Sequence, residues 1–448
     1  MEIVEEKPLI KKKEHIEIKD LSSFEHFKQS LHLMAKSEKS LIFMFIINFL
    51  VSLQYYILVT LIPLYFSNEH GFSDLASGII FGGFGTVIGI CSIYLSSNMH
   101  VIGFKRGLYL SFITGIIGFG IMMINMTYLS LFAVHVVQAV SCSLSWPFVE
   151  YGIKEFSTKE VRSISSSCFF ISNYAAGITA GVFIDFLWYY MTDHSLMYFI
   201  VYAIGILALF IGIIFTIYSR DIEKIEQEEF SFKQVSSQKR FWRYCSLIFL
   251  LILLRSACFG HLDATLPKYM VRVMEDNAHF GVMLTIHSIT MMIGVFSLTT
   301  LSFKFSSYSL IISGGLIGAL GSSLLIFEDE MWAFVVFVMA ISIGESIWVP
   351  RLLDYTYSIA PEGQEGIYLA MSNCPFYFGM IITGSTSGLM LDNFCPKDDT
   401  DNCRFIWLIV FSSSIVIPLM LVVFSRLIKQ PDNEKEPYLS CVNREKIG

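Results

Sequence analysis

The sequence predicts an all-α membrane protein, with twelve transmembrane helices forming two pseudo-symmetric six-helix halves. Three observations carry that prediction. Hydrophobic residues make up 54% of the 448 and charged residues only 15%, with a mean hydropathy of +0.60, a balance that makes lipid rather than water the main solvent. Apolar runs of roughly 20 residues, enough to cross a ~30 Å hydrocarbon core, recur along the chain. The second half of the chain also repeats the first.

The apolar runs fall at 41–66, 77–98, 107–126, 128–152, 163–190, 196–218, 244–268, 280–302, 307–327, 331–352, 366–391 and 405–428. They are continuous, without the period-two alternation that a barrel strand would show. Residues 1–40 form a charged tail with no apolar core of signal-peptide length, so the first span does the targeting. Within that tail, Ser22 and Glu25 are spaced as a capping box, and Phe24, Phe27, Leu31 and Met34 share a face. An amphipathic helix over 22–36, lying along the inner leaflet, is the expectation; the alternative is a solvated tail. Further upstream, Glu5, Leu9 and Ile10 in "EEKPLI" resemble an acidic dileucine sorting signal. That makes sorting adaptors candidate partners.

The chain then divides into a six-helix bundle over 41–218, a polar linker over 219–243, a second six-helix bundle over 244–428 and a tail over 429–448. With the N-terminus cytoplasmic, the segments left outside hold only Lys268, Arg272, Lys397 and Arg404 of the 31 Lys and Arg. This is the positive-inside bias, and it puts both termini and the linker in the cytoplasm. The plasma membrane or an endosomal or lysosomal membrane is the expected residence. The net charge of -7 is spread over tails and loops with no basic, aromatic-interleaved patch, which argues against nucleic acid as a partner.

Most of the nine cysteines are scattered singly in spans, where a thiol is a small apolar group. Cys395 and Cys403 flank "PKDDTDN" in an outside loop, where an oxidising compartment permits a disulfide; two unlinked thiols are the alternative. No cysteine spacing suits a metal, and no cofactor is implied.

The internal repeat shows in four places. "LIPLYF" (61–66) lies over "TLPKYM" (265–270), "IGICS" (88–92) over "IGVFS" (293–297), "SLSWPFVEY" over "ESIWVPRLLDY", and "GITAGVFID" (177–185) over "GSTSGLMLD" (384–392). The last pair shares GxxxGxxxD. Four matches in one order at lags of 202 to 207 residues argue for parallel repeats of six spans each. The arrangement resembles the major facilitator superfamily.

The repeat also locates the chemistry, because Arg255, His287 and Glu345 fall on Val51, Gly82 and Ser143 of the first half. Packing therefore did not demand charge there. An ionisable group near mid-membrane costs roughly 2.5 to 3.5 kcal/mol on insertion scales and normally faces a water-filled cavity or a partner. The three are expected to bind substrate, with Glu345 also handling a proton. Desolvation favours its protonated form and a neighbouring guanidinium its carboxylate, so substrate taking over Arg255 would tip the balance. A static Arg255–Glu345 ion pair and an interior hydrogen-bonded His287 are the plainer alternatives. On the facing wall, Gln54, Tyr55, Tyr56 and Asn173 are expected substrate contacts, with Asn48, His135 and Gln138 as further polar candidates. Arg351 and Asp354 end one span as Glu150 ends its repeat partner, and read as gating residues.

"LQYYILVTLIPLYFSNEHGFSDLASGIIFGGF" then resembles the opening of the proton-coupled oligopeptide transporter branch of that superfamily, with paired tyrosines before a Leu-Pro-Leu-Tyr exit. Gly344-Glu345, Ala360-Pro361 with Gly366, and "FFISNYAAG" around Asn173 extend the likeness. It implies that Glu345, Tyr55 and Tyr56 line a cavity. The chain departs from that branch where "NFLVSLQYY" lacks the expected acidic and basic cluster, and from the superfamily's inner-loop pattern where His100 stands in place of the usual aspartate. The expected function is a secondary active transporter moving a small organic solute, such as a peptide, amino acid or organic anion, by alternating access with protons. The alternatives are an uncoupled facilitator for a neutral solute such as a sugar and a transporter-like receptor that does not cycle. No phosphate-cradling loop and no nucleophile-base motif suggests an enzyme.

Overall fold

A computed structural model describes residue 34 and residues 37–428 apart from 98, 159–160, 223–236, 275–277, 302–304, 361–367, 369–370 and 398–400. Glu5, Leu9, Ile10, most of the 22–36 segment and the tail from 429 lie outside the described residues. Every regular element described is helical.

The first half contains α1 (Lys39–Asn68), α2 (Asp74–Ser97), α3 (Phe104–Met123), α4 (Thr127–Phe156), α5 (Arg162–Tyr190) and α6 (His194–Tyr218). The second contains α7 (Lys239–Ala264), α8 (Phe280–Leu301), α9 (Ser307–Ser322), α10 (Met331–Ile359), α11 (Cys374–Phe394) and α12 (Phe405–Val423). Past Thr265, α7 continues as the short helix Leu266–Met274. The near end of the bundle is where α1 begins, and the far end is where α1 passes into α2.

Among the described residues eleven helices are long and apolar enough to cross a membrane. The twelfth predicted span is α11, whose 21 residues fall short in apolarity because Thr383, Gly384, Ser385, Thr386, Ser387 and Gly388 occupy its middle. Small residues let helix backbones approach closely, which is how association proceeds where lipid offers no hydrophobic drive between helices.

Polar side chains knit each half internally. Gln54 of α1 donates to Gln138 Oε1 at 2.6 Å and Ser141 Oγ at 2.9 Å, and Gln138 donates to the Gly115 carbonyl at 3.2 Å. Asn48 donates to the Phe169 carbonyl at 2.9 Å and Ser172 Oγ at 2.7 Å, tying α1 to α5. In the second half Tyr308 donates to the Leu421 carbonyl at 2.7 Å and Ser414 to the Ala257 carbonyl at 2.7 Å. An unsatisfied polar group in hydrocarbon costs several kcal/mol, so these bonds fix how the six helices of each half sit.

Two crossings join the halves, α2 on α11 and α5 on α8. A Cβ on Gly78 would overlap the carbonyl oxygen of Gly384, and one on Gly384 would overlap that of Gly78. At the other crossing, Cβ atoms on Gly181 and Gly281 would each lie 2.5 Å from the opposite glycine's carbonyl oxygen. Only glycine allows backbones this near.

Candidate functional site

The GxxxGxxxD repeat supplies the second-half face of one crossing and the first-half face of the other. Its positions are four apart and so share one side of a helix. In α11, Gly384 meets Gly78, Gly388 meets the backbone of Asp74 and Leu75, and Asp392 accepts from the Asp74 and Leu75 amides at 3.1 and 3.0 Å. A carboxylate there caps the amino end of α2, where the helix dipole favours negative charge. In α5, Gly177 meets Ser288, Gly181 meets Gly281 and Thr285, and Asp185 accepts from His279 Nδ1 at 2.9 Å. The repeat thus builds two related clamps across the far end.

The first clamp is the stronger. Asp74 Oδ1 lies 2.9 Å from Lys268 Nζ and Asp74 Oδ2 pairs with Arg272, all three side chains being more than nine-tenths buried. Arg272 also donates to the Leu391 carbonyl at 3.4 Å and to that of Cys395. Cys395 is disulfide-bonded to Cys403, which fixes the loop that presents this carbonyl. Removing one partner of a buried pair typically costs ~3–5 kcal/mol because the other charge stays behind. Asp74→Asn should therefore open the far end. A Leu266→Cys reporter in that background is expected to react at least about tenfold faster with an impermeant maleimide, since ~1.4 kcal/mol is a factor of ten. An unchanged rate would show that the ion cluster does not hold the end shut.

Toward the middle of the bundle, α7 widens into a π turn over Arg255–Phe259, in which the Gly260 amide bonds to the Arg255 carbonyl at 2.7 Å. Such single-turn bulges concentrate at functional sites. Here it has a direct geometric use. Arg255 and Asp263 are 8 residues apart; one ordinary turn of ~3.6 residues plus one turn lengthened by about one residue make close to two full turns, so both side chains leave the same face.

Arg255 Nη2 lies 3.3 Å from Asp263 Oδ2, and Arg255 Nη1 lies 3.7 Å from Glu345 Oε1. Glu345 is brought in by Gly344, which packs backbone to backbone against Gly314. Gly379 leaves the slot that the Arg255 side chain fills, and the ring of Phe376 lies 5.9 Å beneath the guanidinium. Arg255 Nη1 and Glu345 Oε2 are buried without a hydrogen-bond partner among the described residues. Unused donor and acceptor capacity on a buried charge calls for an explanation, and a functional role is one.

Tyr55 of the first half lies in electrostatic reach of all three charges, and Tyr56 and Tyr174 in reach of Glu345. A small void between the halves is lined by Thr60 of α1, by Leu262 and Asp263 of α7, and by Met283 and Leu284 of α8. The triad thus sits on the seam that a rocking motion of the halves would open.

The remaining predicted residues separate clearly. His287 stands beside the triad and donates Nδ1–H to Ser342 Oγ at 2.9 Å, the Ser342 proton being committed to the Val338 carbonyl at 2.6 Å. Asn173 keeps a buried amide oxygen without a partner among the described residues. Gln54 and Asn48 are spent on hydrogen bonds inside the first half, and His135 bonds back to the Leu131 carbonyl at 3.0 Å beside Gly83. Near the other end Arg351 is buried and Glu150 is exposed; the side chain of Asp354 lies outside the described residues. Asp263 is the member of the triad that sequence reasoning missed, since "GHLDATLP" reads as the far edge of a span.

Comparisons with known proteins agree with this architecture. The profile of the Major Facilitator Superfamily matches residues 44–384. No curated protein matches the chain in sequence. A POT family transporter solved with 5-aminolevulinic acid is similar at a TM-score of 0.73 and 13% identity, over 88% of this chain and 97% of that one. A peptide transporter POT solved with sulfate is similar at 0.71 and 12%, over 88% and 96%. The nucleoside transporter NupG is similar at 0.66 and 14%, over 88% and 100%. At these identities the structures share the fold, and the family profile spans most of the sequence: the chain belongs to the Major Facilitator Superfamily, whose members are multi-pass membrane transporters rather than enzymes.

Proposed function

We propose that the chain is a secondary active transporter that carries a small organic solute by alternating access, coupled to protons, with Arg255, Asp263 and Glu345 as the shared substrate and proton site. The observation that carries this reading is a buried triad of charges on the seam between two halves whose contacts are glycine crossings and breakable ion pairs. Membrane proteins of this architecture place their sites at the repeat interface near the midplane. Glu345 is the proton carrier. Its pairing with Arg255 is longer than that of Asp263, so on protonation it releases the guanidinium, which remains held by Asp263.

The test is reconstitution of the full chain into liposomes with an imposed pH gradient and a panel of amines, amino acids, dipeptides, sugars and organic anions. Glu345→Gln is expected to keep exchange of bound solute and lose pH-driven accumulation. Accumulation at the unmodified level in that variant would remove Glu345 from the coupling step, and pH-independent flux in the unmodified protein would leave a facilitator.

A further inference from the structure

The charges of the triad do not balance. One guanidinium faces two carboxylates, and among the described residues Arg255 is the one cation acting on Asp263 and Glu345. With both carboxylates ionised the site holds one unit of negative charge in excess, out of bulk water, where an uncompensated charge is costly. Two histidines stand nearby. His261 donates Nδ1–H to Thr265 Oγ1 at 2.7 Å, Thr265 donates to Ser387 at 2.7 Å and Ser387 to the Ala264 carbonyl at 3.1 Å, and His287 donates Nδ1–H to Ser342. A neutral ring satisfies both chains.

The other titratable groups are phenols and thiols. Tyr55, Tyr56 and Tyr174 of α1 and α5, and Cys258 of α7, lie in electrostatic reach of the triad. None of these supplies positive charge.

A zwitterion would leave the excess unchanged, its ammonium being offset by its own carboxylate, and would need a proton beside it. An anion would double it. A cation of single charge cancels it, and so does a proton. The wall suits such a cation: Tyr55 packs edge-on against Trp146 at 4.7 Å between centroids, and Trp146 stacks on Tyr377 of the opposite half at 6.4 Å. Aromatic faces attract desolvated organic cations. The Trp146 indole nitrogen is buried without a partner among the described residues, as a donor left for a ligand would be.

From this charge count we infer that the solute is an organic monocation, and that it and a proton occupy the triad alternately, so the transporter exchanges one for the other. The inference rests on reading the triad as the transport site. Exchange follows from occupancy: cation entry expels the proton from the carboxylate pair, the occupied site stays neutral, and the return leg carries the proton.

Binding to the purified full chain tests it, using tyramine, tyrosine, 3-(4-hydroxyphenyl)propanoate and tyrosol, which vary the charge on one ring, and choline against neutral 3,3-dimethylbutanol. The cations are expected to bind at least tenfold more tightly than their isosteres and to gain at least tenfold in affinity as pH rises from 5.5 to 7.5. Asp263→Asn should lower cation binding at least tenfold, and His287→Gln should keep the pH dependence. Tighter binding of the acid, the zwitterion or the alcohols, affinity that rises as pH falls, loss of the pH dependence in His287→Gln, or no binding by either cation overturns the inference. The isostere and pH comparisons on the unmodified protein decide it even if Asp263→Asn fails to fold. Cations that bind but do not cross liposomes would remove the transport reading alone; zwitterions carried together with protons would keep that reading and remove this inference.

Discussion

Gly384→Leu is expected to cut transport severely while the protein still reaches the membrane. A side chain at 384 meets the backbone of Gly78, which cannot move aside as a flexible side-chain tip can. The two helices belong to different halves, so each half still folds, held by its own hydrogen bonds. Closure of the far end fails instead. Overpacking a tight contact typically costs ~1–3 kcal/mol, and here nearly all of it falls on the closed state, which shifts the two-state balance by roughly 5- to 150-fold. Flux in liposomes should fall by that order, and far-end thiol labelling should rise with it. Gly384→Ala should show a smaller change of the same sign. Wild-type flux in both variants would mean that the α2/α11 crossing is not part of the cycle.

The second large effect is expected at Arg255. Replacing it by Met leaves Asp263 and Glu345 buried with no cation between them, a situation worth ~3–5 kcal/mol of destabilisation. The apparent Tm of the purified protein should drop by several degrees, and transport should vanish. Neutralising all three positions, Arg255→Met with Asp263→Asn and Glu345→Gln, should restore the Tm without restoring transport. That pattern separates an electrostatic role from packing against Phe376. A triple variant as unstable as the single one would show that the guanidinium acts through its bulk.

Arg255 and Glu345 were legible in the sequence because hydrocarbon is an unforgiving background: a charge inside an apolar run stands out, and the first-half copy supplied the uncharged comparison. Asp263 was not legible. It follows Arg255 by 8 residues, a spacing that leaves two side chains about 80° apart on a regular helix, and nothing in "RSACFGHLD" announces the wide turn that aligns them. Gln54 and Asn48 were ambiguous for a related reason, since a lone amide in a span does not reveal whether it faces its own bundle or the seam. The GxxxGxxxD repeat was visible as a pattern. What it grips, the glycines and α2 amino end of the opposite half, is a long-range contact that one helix's sequence does not contain.

The extra residue in α7 also has a dynamic implication. An insertion absorbed in a single turn can migrate along a helix by exchanging one hydrogen-bond partner at a time, without unwinding the rest. Were it to pass beyond Arg255, that side chain would swing by ~100° relative to Asp263. The same chain would then present either a paired or a separated guanidinium and carboxylate, set by a register slip rather than by displacement of a whole bundle.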